Sequence, residues 1–134
     1  MRILFDTNVL VSAFTSLGLC HQVYERALAR ADIVTARRLL DELHGTLVEK
    51  MKIDAPLADE ILAELANELE IVEPMPLPKS ICRDEDDDWV LATALTGRSE
   101  VIVSGDKDLL VLKQFQGIKI LSPRQFVEWM DSQK

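Results

Sequence analysis

Four carboxylates in this sequence stand where a short apolar run has just ended or an apolar helical pattern runs. Asp6 follows RILF (2–5), and Asp106 follows VIVSG (101–105). Asp88 heads WVLATAL (89–95), and Glu42 lies inside LLDEL (39–43). Carboxylates gathered in one place repel, and their pKa values rise unless something compensates them. A hard divalent cation does so: Mg²⁺ and Mn²⁺ take carboxylate and water oxygens, generate hydroxide near neutral pH and stabilise the charge of a phosphodiester displacement. Neither His nor Cys is required. That suits a chain with two histidines, His21 and His44, and two cysteines, Cys20 and Cys82, that form no paired motif.

Each acid also has an ordinary reading. Asp6 could cap a helix that starts at Thr7, and Asp106 could cap DLLVLKQF (108–115). Glu42 could pair with Arg38 one turn back, as Asp41 could with Arg37, and helical geometry does not choose between Asp41 and Glu42. Asp88 is harder to set aside, because it shares a face with Leu91, Ala92 and Leu95, which should be buried. Asp84, Glu85 and Asp86 read as a solvated charge run at a helix start, and Asp87 fits either role.

These acids need elements to bring them together. RILF (2–5), Ile33-Val34, VIVS (101–104) and 118–121 read as strands, and 70–73 as a brief extended segment. Helical spacing covers 7–14, 21–31 and 36–51, the last with Leu39, Leu40, Leu43, Leu47 and Met51 on one stripe. Pro56 suits the first turn of another helix, with Leu57, Ile61, Leu62, Leu65 and Leu69 inward. Pro74, Pro76 and Pro78 mark an extended crossing that is neither helix nor central strand. Further helices are expected over 89–95, 106–115 and 123–131. Short strands alternating with helices make an α/β domain with a mainly parallel central sheet flanked by helices. Such sheets bind ligands beyond the carboxyl ends of their strands, which is where Asp6 and Asp106 fall.

The chain of 134 residues fits a single domain spanning 1–134. Its 48% hydrophobic content excludes disorder. No run is long enough to cross a membrane. Asp6 interrupts the place where a signal peptide would carry its apolar run, and a reducing cytoplasm is the default location. Phe126, Trp129 and Met130 are candidates for a dimer surface; Trp89 and Trp129 could stack bases, but both sit on apolar helical patterns and read as core or interface.

In order along the chain, FDTNVLVSAF (5–14), LLDEL (39–43), DEDDDWVLATAL (84–95) and VSGDKDLL (103–110) resemble the PIN domain family. Within it, the sequence is most similar to the bacterial and archaeal branch related to VapC-type toxins. The resemblance extends through ILSPRQFVEWM (120–130) to cover essentially the whole chain. It implies a Rossmann-like domain and a Mg²⁺- or Mn²⁺-dependent ribonuclease that leaves a 5′-phosphate and a 3′-hydroxyl. Carried over by motif, the catalytic acids are Asp6, Glu42, Asp88 and Asp106. Asp6, Asp88 and Asp106 would hold metal, and Glu42 would orient water. Ser104 stands at the strand end where the family carries Thr or Ser. Asn8 would orient Asp6 or cap the first helix, and Asp108 would order the loop or meet the metal through water. The resemblance also implies an RNA substrate, a homodimer and a cognate antitoxin that covers the acidic groove.

Other classes fit less well. FDTNVL is also similar to the strand-DxDx(T/V) signature of haloacid-dehalogenase phosphatases, but Asn8 stands where the second acid is needed. A receiver domain wants an acid pair after the first strand, and only Asp6 is there. A catalytically inactive PIN-like binding module is the remaining alternative.

The net charge of −8 counts against nucleic acid only when taken whole. Residues 54–73 hold seven acids and 84–88 hold five, with no Lys or Arg in either stretch. Elsewhere 11 acids face 15 bases. Arg26, Arg30, Arg37, Arg38, Lys50 and Lys52 could form an RNA-binding edge or ordinary solvated helix faces. The distribution implies that phosphate approaches the acidic groove only with a divalent cation in place.

Overall fold

The structure, a computed structural model, describes residues 1–133. Its strands are β1 (Arg2–Phe5), β2 (Asp32–Thr35), β3 (Glu70–Ile71), β4 (Val101–Val103), β5 (Gln114–Phe115) and β6 (Ile118–Leu121). They form one sheet in the order β3-β2-β1-β4-β6-β5, parallel throughout except for the antiparallel pair β5–β6. The helices are α1 (Thr7–Thr15), α2 (Leu19–Arg30), α3 (Arg37–Gly45), α4 (Ala55–Glu68), α5 (Glu85–Thr96), α6 (Lys107–Leu110) and α7 (Pro123–Ser132).

The strands are apolar on both faces because helices cover both. Ile3, Phe5, Ile33, Val101 and Val103 point into one core with residues of α1–α4 and α7. The alternate residues Leu4, Val34, Ile102 and Ile120 point into a second core with Val90, Leu91 and Ala94 of α5. This period of two, with both phases apolar, is the signature of a sheet buried on both sides.

The order of the strands creates the site. From β1 the chain steps outward to β2 and β3, then returns to the other side of β1 as β4 and steps outward again to β6. The direction reverses between β1 and β4, and a crevice opens there beyond the carboxyl ends of the strands. The ladder runs on to the residues that border it: the Asp6 N–H donates to Val103 O at 2.9 Å, and the Ser104 N–H donates to Leu121 O at 3.0 Å.

Four expectations from the sequence are corrected. The helix starting in 36–51 keeps its α form only to Gly45 and then widens into a π-helical turn over Thr46–Lys50. The wider turn carries Met51 off the leucine stripe, leaving it 43% exposed. Leu57 is also outside, 50% exposed, and Ala58 takes the buried place in the first turn of α4. The helix predicted over 106–115 stops at Leu110, and the chain then turns into the β5–β6 hairpin. Phe126 and Met130, suggested for a dimer surface, are buried in the core, while Trp129 lies partly outside with its ring stacked on Phe126.

Candidate functional site

Asp6 sits at the switch point because β1 ends on its backbone and α1 begins there. It is the N-cap of α1: its Oδ1 accepts the Thr7 N–H at 2.8 Å. Its Oδ2 accepts the Ser104 hydroxyl at 2.7 Å. The Ser104 Oγ in turn accepts the Asp106 N–H at 2.9 Å. Ser104 is fully buried between the two strand ends and ties Asp6 to the loop that bears Asp106. Asp106 caps α6 through its Oδ1, which accepts the Asp108 N–H at 2.7 Å. Asp6 and Asp106 are thus both helix caps, and the same capping sets each carboxylate at the carboxyl end of its strand.

The acid that α5 sends into this place is Asp87. Asp87, Asp106 and Asp108 each offer a carboxylate oxygen within 4.8 Å of the others. The structure does not bring Asp88 there. Its carboxylate instead gathers the loop before α5: Oδ1 accepts the Cys82 N–H at 2.8 Å and the Ile81 N–H at 3.2 Å, and Oδ2 accepts the Ser80 hydroxyl at 3.2 Å. Neighbouring positions on a helix point about 100° apart. Only one of the two can face the crevice, and the loop's N–H groups take the other.

Electrostatics picks out the same residues. Burial raises the Asp87 carboxyl to about 7, with Asp106, Asp6, Asp84 and Asp108 adding to the rise. Burial also pushes Asp6 up, with Asp106 adding, although the Ser104 and Thr7 hydrogen bonds oppose it. Glu42 is raised by burial and by the charges of Asp86, Asp6 and Asp84. Helical periodicity left Asp41 and Glu42 equivalent, and it is Glu42 that senses the acid cluster.

Two accessory expectations fare differently. Asp108 joins the cluster and carries the Arg83 guanidinium at 2.8 Å. The Asn8 side chain is exposed and makes no hydrogen bond among the described residues; Asp6 itself caps α1 and is oriented by Ser104. Asp84, Glu85 and Asp86 are exposed, and Asp84 caps α5. Trp89 is only partly buried, with the Arg38 guanidinium carbon 4.9 Å from its ring centre.

An all-oxygen set of closely spaced carboxylates with raised pKa values fits a hard divalent cation and not a soft one.

A doubly covered, mainly parallel sheet with acids at its switch point defines an α/β domain of the Rossmann-like class. The PIN domain family matches residues 2–108, and the chain belongs to that family. Among solved structures, VapBC-1 from nontypeable Haemophilus influenzae matches with a TM-score of 0.66 and 12% sequence identity, covering 92% of this chain and 99% of that one. At that identity the likeness concerns the fold. No curated protein matches the chain in sequence.

Proposed function

We propose that this protein is a Mg²⁺- or Mn²⁺-dependent ribonuclease that hydrolyses phosphodiester bonds, and that it is the toxin of a toxin–antitoxin pair. The observation that carries the first part is the convergence of Asp6, Asp87, Asp106 and Asp108 on one crevice with Glu42 beside them. Membership of the PIN domain family, whose domains are generally nucleases, supports the same reading. The fold likeness to VapBC-1 accompanies the second part and suggests an antitoxin as partner.

In this reading Asp87, Asp106 and Asp108 would hold the cation, with Asp6 beside them, and Asp87 would take the ligand position first assigned to Asp88. A divalent cation held there would lower the pKa of bound water and offset charge on the phosphodiester. Ser104 fixes Asp6 and the Asp106 loop in register. Glu42, whose carboxyl is raised by burial and by the neighbouring acids, would orient the attacking water and take its proton. Asp88 serves as a positioning residue that fixes the loop 80–82 ahead of α5.

The test is RNA cleavage by purified protein in Mn²⁺ and in EDTA. Wild type should cleave only with metal, and Asp6→Asn should not cleave. Equal Mn²⁺-dependent cleavage by wild type and Asp6→Asn would refute the assignment. Metal binding without cleavage of any RNA would leave the alternative, an inactive PIN-like binding module.

A further inference from the structure

Trp89 lies two residues beyond Asp87 on α5, and its indole does not enter either core. It walls a surface groove of about 570 Å³. Opposite it are Arg37 and Arg38, from the first turn of α3, and the apolar side chains of Ile71, Val72 and Pro74, where the chain leaves β3. The same ring also borders a second groove of about 380 Å³ that holds Lys79 and Arg83. The indole thus stands as a ridge between two grooves and not as a core plug; the first sets Arg37 and Arg38 against Glu73 alone, whereas the second balances Lys79 and Arg83 with Glu85 and Asp88.

Its cations are available. Arg38 lies over the ring, a cation–π contact. The carboxylates nearest to it are Asp86 at 3.6 Å and Glu85 at 3.9 Å, both beyond hydrogen-bond length. Arg37 makes no hydrogen bond or ion pair among the described residues. The groove lies one helical turn from Glu42, since Arg38 precedes it by four residues, about 6 Å along the axis of α3.

A flat π face, a guanidinium stacked on it, a second free guanidinium and an apolar floor match the chemistry of an unpaired nucleotide. Its base stacks on an aromatic or guanidinium plane, and its phosphate meets arginine. A paired base keeps its own stack and cannot enter. An added peptide strand would find little here, because β3 is two residues long and offers few backbone partners.

We propose that the Trp89 groove is a subsite for one unpaired nucleotide of the RNA, beside the scissile phosphate, in which the base extends the Arg38–Trp89 stack and Arg37 holds phosphate. The proposal rests on the ribonuclease reading and adds to it that the substrate is single-stranded at this position.

The chain has two tryptophans, so Trp129→Phe leaves Trp89 as the sole indole reporter. In Ca²⁺, a short unstructured RNA oligonucleotide should quench Trp89 fluorescence, and a blunt duplex of the same strand should not. Trp89→Ala should weaken oligonucleotide binding about 5- to 100-fold. Trp89→Phe should recover most of that loss, and Arg38→Gln should weaken binding and flatten its salt dependence. Binding without quenching, equal quenching by the duplex, or wild-type affinity in Trp89→Ala would each overturn the subsite. Should Trp89→Ala fail to fold, the quenching and the Arg38→Gln titration decide. Wild-type cleavage without quenching defeats the subsite alone, whereas absence of RNA cleavage with quenching intact defeats the ribonuclease reading alone.

Discussion

The two ends of β1 handle charge in opposite ways. At its start, Arg2 is matched: its guanidinium donates to both Glu70 oxygens, at 3.2 and 2.7 Å, and its Nε donates to Gly97 O at 2.7 Å. Hydrogen bonding to Arg2 lowers the Glu70 carboxyl below its usual range. Just past the other end, Asp6 meets Asp106 and Asp87, and burial and mutual repulsion raise Asp6 and Asp87. At the cluster's edge Arg83, an exposed side chain, pairs with Asp108 at 2.8 Å. Carboxylates are thus stabilised as anions at one end and strained as anions at the other. Unbalanced negative charge confined to the switch point of the sheet is what a divalent cation would correct, and the fold maintains it there by burying Asp6, Asp87 and Ser104.

The strained end should carry the largest effects. Asp87→Asn should lower Mn²⁺-dependent RNA cleavage at least about 100-fold. Asp88→Asn should retain most of it, because an amide oxygen can still accept the Cys82 N–H. Steady-state rates of the two variants side by side check this, and equal losses would erase the distinction between the neighbours. Ser104→Ala should weaken Mn²⁺ binding about 10- to 100-fold, as loss of a group that orients ligands does. Calorimetric titration reads that change, and unchanged affinity would show that Asp6 and Asp106 need no tie.

Stability effects come next. Asp88→Ala leaves the Ile81 and Cys82 N–H groups without their acceptor and should cost about 1–3 kcal/mol in denaturant unfolding. Protons give a sharper contrast. Asp87 titrates near 7 in the folded, metal-free protein and near 3.9 in an unfolded chain. Between those values the folded state holds a proton that the unfolded state releases, so stability is full below about pH 4 and declines as pH rises through about 7. The melting temperature in EDTA should fall across that window in wild type, and Asp87→Asn should remove this part of the fall. At the matched end, Glu70→Gln should cost under about 1 kcal/mol, as an exposed ion pair does, and leave cleavage unchanged. A large loss of activity there would break the comparison.

Much of the site was legible in the sequence, and the misses have local physical causes. VIV before Ser104 can only be a strand covered on both faces, and an acid directly after a parallel strand is placed by topology. Asp6 and Asp106 therefore follow from pattern alone. Asp87 and Asp88 do not. Helical spacing put Asp88 on the face of Leu91, Ala92 and Leu95, but the choice was made by the irregular loop 80–82, whose N–H groups bind Asp88. No periodicity encodes such a loop. The hairpin after α6 was hidden for a related reason. Its turns put Lys113 at φ 62° and Gln116 at φ 47°, residue types that seldom mark left-handed backbone, and only Gly117 signals the turn. The pairing of Phe126 with Phe5 likewise depends on tertiary contact and not on spacing, which is why an apolar C-terminal helix face read as a dimer surface.

We propose that the crowded carboxylates at the end of β1 form a cation site that includes Asp87. A melting curve of wild type and Asp87→Asn, titrated from EDTA into millimolar Mn²⁺ at neutral pH, tests it directly. Wild type should rise steadily with Mn²⁺, as a preformed site must. Asp87→Asn should start higher in EDTA and rise little. A wild-type curve unmoved by Mn²⁺, or an Asp87→Asn curve that rises in parallel with it, would contradict the claim.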